Sequence, residues 1–381
     1  MSIRVAIVIP VYREQLYIEK TLRSIAKSID FASDTLPSPI IILVVNNPQN
    51  ISQKHRLENQ QHIRYLQDAK SMLGMDYTVL DETAPGLQYG VGQARKIGME
   101  YATAKFKLKA LDRLVCLDAD TTVSLNYVTA LYSSEVSSDG FVLCFEHPVH
   151  HEPMILYELY LRYLSNGLKL ANSPFDFIAI GSAMGCTVRG YQKAGGMPSK
   201  SATEDFHFLN KLRKIGPIEM IPHSKVFPSD RLESKTSLGT GTFLKKSKAN
   251  LSQAFQALMI PAPKDFLRLK HALQGISFFY NKDSLLSIFE SIQDLTTFQH
   301  LHERGLTEKI FKIKATTTSE KTYQHRLMEV IDGLETMRLL RTYAKHSAKP
   351  TKATFLGWAQ TLTSDCASLD PKTLLSAYRN L

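Results

Sequence analysis

Cysteine and tryptophan are scarce in this chain: four and one, respectively, among 381 residues. The cysteines, Cys116, Cys144, Cys186 and Cys366, are scattered, which argues against a disulfide framework and against a paired-cysteine zinc site. Two of them lie in apolar, strand-like runs and read as small buried hydrophobes in a reducing, cytoplasmic compartment. No apolar run is long enough to cross a bilayer. The opening "MSIRVAIVIPVYRE" holds a short apolar run broken by Pro10, with no small-residue cleavage site, and reads as a first strand and not as a signal peptide. Internal repeats, long low-complexity tracts, a zinc-finger pattern and an aromatic RNA-binding signature are all missing, so no nucleic-acid partner is expected. An acidic excess is missing too. The 46 Lys and Arg outnumber the 36 Asp and Glu, and the net charge of +10 by itself suits an anionic ligand, an acidic membrane surface or a nucleic acid without choosing among them.

What is present is a globular composition, 44% hydrophobic, in a length that implies one large domain with additions or two domains. The first half alternates strand and helix. Arg4 to Ile9 is a continuous apolar run ended by Pro10, and Ile18, Leu22, Ile25 and Ile29 then recur at helical spacing. "SPIIILVVNN" predicts a second strand ending in Asn46 and Asn47. A further short strand is expected around "YTVLDE", and "GVGQARKIGMEYATAKF" predicts a helix opened by glycine. Leu114–Leu117 and Phe141–Phe145 predict two more strands. This β-α-β order implies right-handed crossovers and a mostly parallel sheet with helices on both faces. Ligands of such sheets bind beyond the carboxyl ends of the strands, where Pro10–Tyr12, Asn46–Asn47 and Asp118–Asp120 all fall.

The last of these needs a physical reason. In an extended chain Asp118 and Asp120 point the same way and repel. A hard divalent cation with oxygen ligands would offset that cost. Taken alone, Asp-x-Asp is more often a solvated turn; three polar constellations converging on one edge are stronger evidence of a ligand site than any one of them, and the rest of the chain must decide.

The second half changes character. "PMILYELYLRYLSNGLKLA" predicts an amphipathic helix, and "AIGSAMGCTVRGYQKAGGMP" a strand, a turn and a short helix. "TEDFHFLNKLRKIG" predicts a helix capped by Thr203, acidic at its start and basic at its end, as the helix dipole prefers. From about Leu244 the pattern is helical, through Leu251, Phe255 and Leu258; Phe266, Leu269 and Leu273; Leu285, Phe289 and Ile292; and Leu327, Ile331 and Leu334. "KIKATTTSEKT" reads as an exposed loop. The division expected is residues 1–245 as a catalytic domain and residues 246–381 as a mostly helical region contacting acceptor, a membrane surface or a second copy.

These residues resemble family 2 glycosyltransferases, which have the GT-A fold. "VAIVIPVYREQLYIEKTLRSI" resembles the family's opening, "ILVVNNPQN" its second strand, "GVGQARKIGMEYA" its Gly…Ala-Arg helix, and "LVCLDADTTVS" its Asp-x-Asp segment. "GGMPSKSATEDFHFLNKLRKIG" resembles its Gly-Gly…Glu-Asp block. The resemblance spans about residues 3 to 241; the last third has no counterpart.

The resemblance implies a metal-dependent transferase that moves a sugar from a nucleotide-diphosphate sugar to a glycan, lipid or small-molecule hydroxyl with inversion. Pro10, Tyr12 and Glu14 would line the nucleotide pocket, Asp120 would hold Mn2+ or Mg2+, and Asp118 would contact the ribose or a metal-bound water. Asp205 would be the base and Glu204 would position the site or contact the acceptor. Arg95 would reach the phosphates from a helix start opened by Gly90 and Gly92, and Gly195-Gly196 would form a tight turn at the acceptor pocket. "VFPSDRLESKTSLGTGTFLKK" reads as a mobile lid whose Arg231 clamps the diphosphate, and His223 is a weaker candidate for the metal shell. Two departures concern the nucleotide: Arg13 stands where the family has Asn, and Asn46-Asn47 stand where it has Asp. Two rival readings are a non-catalytic sugar-nucleotide-binding protein on the same fold and a nucleotidyltransferase. The latter should carry a Gly-rich loop after the first strand, and "PVYREQLY" has no glycine.

Overall fold

The computed structural model describes residues 3–32, 36–88, 90–133, 137–148, 150–200, 202–231, 240–281, 286–347, 349–363 and 366–381. The chain divides into two compact units: residues 1–148 with 179–241, and residues 149–178 with 242–381.

Unit 1 is built in the order β1 (Val5–Val11), α1 (Ile18–Phe31), β2 (Ile40–Pro48), α2 (Gln53–Asp68), α3 (Lys70–Leu73), β3 (Thr78–Leu87), α4 (Gly90–Lys105), β4 (Arg113–Cys116), β5 (Thr122–Val123), α5 (Tyr127–Leu131) and β6 (Gly140–Phe145). The chain then contributes helix α6 (Glu152–Leu170) to unit 2 and returns with β7 (Met184–Thr187), α7 (Val188–Lys193), α8 (Glu204–Ile215) and β8 (Ile218–Phe227). Among the described residues the strands form one eight-stranded sheet, ordered β3-β2-β1-β4-β7-β6-β8-β5. β1, β2, β3, β4, β6 and β8 run one way; β7 is antiparallel to β4 and β6, and β5 is antiparallel to β8. The mostly parallel sheet expected from the sequence is present.

β1 is buried along its whole length, as a central strand covered on both faces must be. Helix α1 buries Ile18, Leu22 and Ile25, and α4 approaches the sheet closely because Gly98 has no Cβ, which would overlap Val8. The polar residues of α1 matter as much. Thr21 donates to the Ala119 carbonyl (2.9 Å), Ser24 accepts from Val123 N–H (3.1 Å), and Ser28 donates to the Leu125 carbonyl (2.8 Å) and accepts from Val128 N–H (2.9 Å). Hydroxyls at i, i+3 and i+7 thus fasten the segment around Asp118–Asp120 to one helix face.

Unit 2 is helical: α6, then α9 (Thr240–Ala249), α10 (Leu251–Gln256), α11 (Pro263–Phe278), α12 (Leu286–Ile292), α13 (Leu295–Glu303), α14 (Leu306–Ala315), α15 (Glu320–Val330), α16 (Gly333–Lys345), α17 (Lys352–Thr361) and α18 (Pro371–Arg379). The structure departs from expectation in two places. Helix α6 belongs with these helices and not with the sheet unit, so the second unit is discontinuous in sequence. Most of "KIKATTTSEKT" lies in α14 and α15, leaving a link at residues 316–319. One core cluster joins Ile276, Phe279, Ile292, Ile310, Tyr323 and Leu327. Phe289 is partly exposed at the edge, against Phe298 (5.4 Å between ring centroids). Leu285 lies outside the described residues. Unit 2 holds 22 of the 46 Lys and Arg residues but 15 of the 36 Asp and Glu, and so carries most of the net positive charge.

Candidate functional site

The carboxyl ends of β1, β4 and β8 lead into one polar cluster within unit 1. Glu14 comes just after β1, and its carbonyl accepts from the N–H groups of Tyr17 and Ile18 (3.0 Å each) as α1 begins. Its buried side chain accepts both guanidinium arms of Arg231, at 2.7 and 2.9 Å. Arg231 also reaches Asp120 at 3.0 Å and lies over the Tyr17 ring at 5.0 Å.

β4 stops at Cys116, and Asp118 to Thr121 form a turn closed by Thr121 N–H to the Asp118 carbonyl (3.1 Å). This corrects the expectation of two parallel carboxylates on an extended chain. The turn sends Asp120 to Arg231 and Asp118 to Arg95 (2.5 Å). Arg95, only 2% exposed, also pairs with Glu204 at the start of α8. Burial alone would weaken its charge, but Asp118 and Glu204 outweigh that and hold it more firmly protonated than usual. The expectation that Arg95 contacts phosphates is therefore corrected: its guanidinium sits inside the protein, between two acids. The same applies to Gly92. A Cβ there would lie 2.5 Å from the Lys200 carbonyl and 2.6 Å from that of Pro198, so this glycine admits backbone and not an anion.

Asp205 comes after Glu204 in the first turn of α8 and is half-buried. Burial, aided by the Glu204 charge, raises its pKa to about 6 against the pull of Arg95. Asp120 is likewise raised to about 6 by burial and by the charges of Asp118 and Glu14, against Arg231. Thr203 does not cap α8 through its side chain as expected; it adopts φ +61°. Gly195 and Gly196 do form the tight turn, at φ +70° and +78°.

Several predicted residues stand elsewhere. Pro10 is buried inside β1, opposite Val44. Tyr12 is half-buried just after β1. Asn46 is buried in β2. Asn47 is fully buried, its amide donating to the Thr83 carbonyl (3.2 Å) and its oxygen accepting from Asn59, so it braces β3 and α2. His223 is an exposed residue at an irregularity of β8, with φ +63°. Residues 232–239 of the expected lid lie outside the described residues.

Sequence reasoning missed Asn59, Gly181 and His62. His62, on α2, is buried with neither ring nitrogen hydrogen-bonded among the described residues, and burial lowers its pKa against the opposing charge of Glu14. It lines a cavity of about 480 Å3 with Gln15, Glu58, Gln61 and Tyr65. A cavity of about 550 Å3, lined by Arg268, His271 and Asp294 among others, lies within unit 2.

Whether this cluster fits the divalent cation that the resemblance implies depends on its donors. Among the described residues no three His, Cys, Asp or Glu converge as a metal cage. Five carboxylates (Glu14, Asp118, Asp120, Glu204, Asp205) nevertheless face two guanidinium groups, and Asp120, raised chiefly by burial, is raised further by the neighbouring Asp118 and Glu14 charges. One or two hard carboxylates completed by substrate phosphates is a common way to bind Mg2+. The donor set fits that mode.

No family model matches this chain, and no curated protein matches it by sequence. Solved structures do resemble it. S. aureus TarS residues 1–349 in complex with UDP-GlcNAc superposes with TM-score 0.43 at 12% identity, over 91% of this chain and 93% of that one. The mannosyltransferase PcManGT from Pyrobaculum calidifontis, with GDP-Man and Mn2+, gives 0.41 at 14% identity over 91% and 87%. GalNAc-T7 with UDP, GalNAc and Mn2+ gives 0.41 at 16% identity over 77% and 55%. All three TM-scores are below 0.5, too low for these likenesses to carry an assignment.

Proposed function

We propose that the chain is a metal-dependent glycosyltransferase of the GT-A type, similar to family 2, that uses a nucleotide-diphosphate sugar and inverts the anomeric centre. One observation supports this reading: five carboxylates meet two arginines at the carboxyl edge of the sheet, with two of the acids, Asp120 and Asp205, held near pKa 6. In an inverting transfer the acceptor oxygen attacks the anomeric carbon while the bond to the diphosphate oxygen breaks. The acceptor proton passes to Asp205, which is mostly ionised at neutral pH yet basic enough to receive it. Asp120, with Asp118 beside it, would hold Mn2+ or Mg2+, whose role when bound is to neutralise charge on the leaving diphosphate. Arg231, released from Asp120, would pair with the diphosphate bidentately. Glu14 and Tyr12, just after β1, would flank the nucleotide. Glu204 keeps Arg95 in place beside the base.

The non-catalytic alternative gains support from Asn47, whose amide is spent on Asn59 and Thr83 and is not presented to a base. Release of nucleoside diphosphate from a panel of sugar nucleotides with Mn2+ separates the two readings, because a binding protein would bind without turnover. Calorimetry of UDP and GDP with and without Mn2+ then tests the metal. Equal affinities in the wild type and Asp120→Ala with metal present would sink this assignment. For unit 2 we propose contact with the acceptor or an acidic membrane surface, on its positive charge. Among the described residues no helix is long and apolar enough to cross a membrane. Failure to co-sediment with anionic vesicles at low salt would remove the membrane version and leave acceptor binding or self-association. The free cysteines, two of them buried, fit a cytoplasmic location.

A further inference from the structure

Asp118 and Glu204 lie 86 residues apart in the chain, on different elements, yet one guanidinium holds both. The surrounding structure is shaped to keep it there. Helix α4 carries Arg95 inward because Gly98 lets it sit on Val8 and Gly92 lets it sit on the backbone at Pro198 and Lys200. Gly181 leaves the space that the guanidinium fills, since a Cβ there would overlap it. Buried ion pairs seldom stabilise more than apolar packing of equal volume, so stability alone is a weak reason for this construction. Geometry is a better one. A planar fork fixes two carboxylates in a set relation, which a single ammonium cannot do.

We propose that Arg95 is a positioning residue that couples the donor side of the site, through Asp118, to the acceptor side, through Glu204 and its neighbour Asp205. The coupling rests on the glycosyltransferase reading for what the two sides bind, but not for its existence. When Glu204 is neutralised, Arg95 recentres on Asp118 and draws it from the nucleotide. When Asp118 engages the nucleotide, its hold on Arg95 slackens and Glu204 takes the larger share. An acid that need not touch the nucleotide thereby controls nucleotide affinity.

The test uses the full chain with UDP or GDP and Mn2+. Glu204→Gln is expected to weaken nucleoside diphosphate binding about fivefold or more, within the usual range of site-to-site coupling. In an Arg95→Lys background the same substitution is expected to change it less than twofold. Arg95→Lys itself should lower turnover far more than it raises the donor KM. A purely structural Arg95 would lower Tm and leave the Glu204→Gln effect on affinity absent in both backgrounds, which overturns the proposal. Gly181→Ala, which displaces the guanidinium without removing charge, should reproduce the Arg95→Lys kinetics and covers the case in which Arg95→Lys fails to fold. A second measurement needs no nucleotide: the carboxyl carbon resonance of Asp118, assigned by its loss in Asp118→Asn, should move in Glu204→Gln and stay put when Arg95→Lys or Gly181→Ala is already present. Should the wild type bind neither nucleotide, the donor reading fails while this resonance still decides the coupling. An unmoved resonance in Glu204→Gln overturns it.

Discussion

Glu335 in unit 2 is ringed by three basic side chains, His300 (2.9 Å), Arg304 (2.5 Å) and Arg338 (3.2 Å), whereas Asp120 in unit 1 shares one arginine with Glu14. Glu158, fully buried on α6, likewise holds both Arg162 (2.9 Å) and Arg379 (2.8 Å) and so fastens α18 to α6. The consequences run in opposite directions. Burial would raise the pKa of Glu335, but its partners win and hold it below the usual value. Asp120 and Asp205 are under-compensated and rise to about 6. Cations outnumber acids where the cluster staples helices; acids outnumber cations in the unit 1 cluster, where the proposed reading places a charged ligand. On that reading the balance of charges, and not burial, distinguishes a structural ion cluster from a functional one.

The largest expected effect breaks the structural side. Glu158→Ala leaves two largely buried guanidinium groups without their shared acid and should cost about 3–5 kcal/mol of stability. Denaturant or thermal unfolding reads it, and nucleotide affinity per folded molecule should not change.

Asp205→Asn breaks the functional side. Turnover should fall by about a hundredfold or more, as for loss of a general base, with nucleoside diphosphate affinity nearly unchanged. Its stability should hold or rise. The folded pKa of Asp205 lies above the unfolded value, so its ionisation disfavours the fold above about pH 6; that penalty fades as pH falls through 6, and Asn removes it. The opposite pattern, lost stability with retained turnover, would place Asp205 with the staples. Proton NMR of the product anomer checks the single-displacement reading, and retention would contradict it.

A smaller effect sharpens the comparison by pH. Turnover should rise through about pH 6 and fall roughly tenfold for each unit below it, because only ionised Asp205 accepts the proton. In Asp205→Asn the share of that limb due to Asp205 should be lost from the residual rate, leaving only what Asp120, also raised to about 6, contributes.

The smallest concerns Arg13, where this chain departs from the resembled family. It is exposed at φ +56°, a conformation that Asn and Gly adopt more readily. Arg13→Asn should raise stability by about 0.5–1 kcal/mol, measured as a shift in Tm. A loss would mean that the arginine side chain contributes more than its backbone costs.

Residue order alone was enough to set most of the longer strands and helices of the sheet unit, though not the short β5, α3 and α5, and the edge where polar residues gather. Uninterrupted apolar runs such as Val5–Ile9 and Ile40–Val45 can only be central strands, and the residues just after a parallel strand must lie at its carboxyl end. Helical spacing likewise revealed α1, α4 and α8, and the acids and arginines of the site were visible as residue types. Their pairing was not. Arg95 read as a phosphate ligand because its charge is local information, while its burial depends on Gly181, 86 residues away, and on the packing of α4 against residues 198–200. The two aspartates read as parallel because strand periodicity was carried past Cys116, where Thr21 on α1 instead secures the Ala119 carbonyl in a turn. Helix α6 read as part of the sheet unit because amphipathicity tells that a face is buried and not what buries it; the aromatic contacts of Tyr163 with Phe266 and Phe355 decided that. Periodicity and turn chemistry act over a few residues and are written in the sequence, whereas the partner of a charge is chosen by whichever distant side chain the closed core brings within reach.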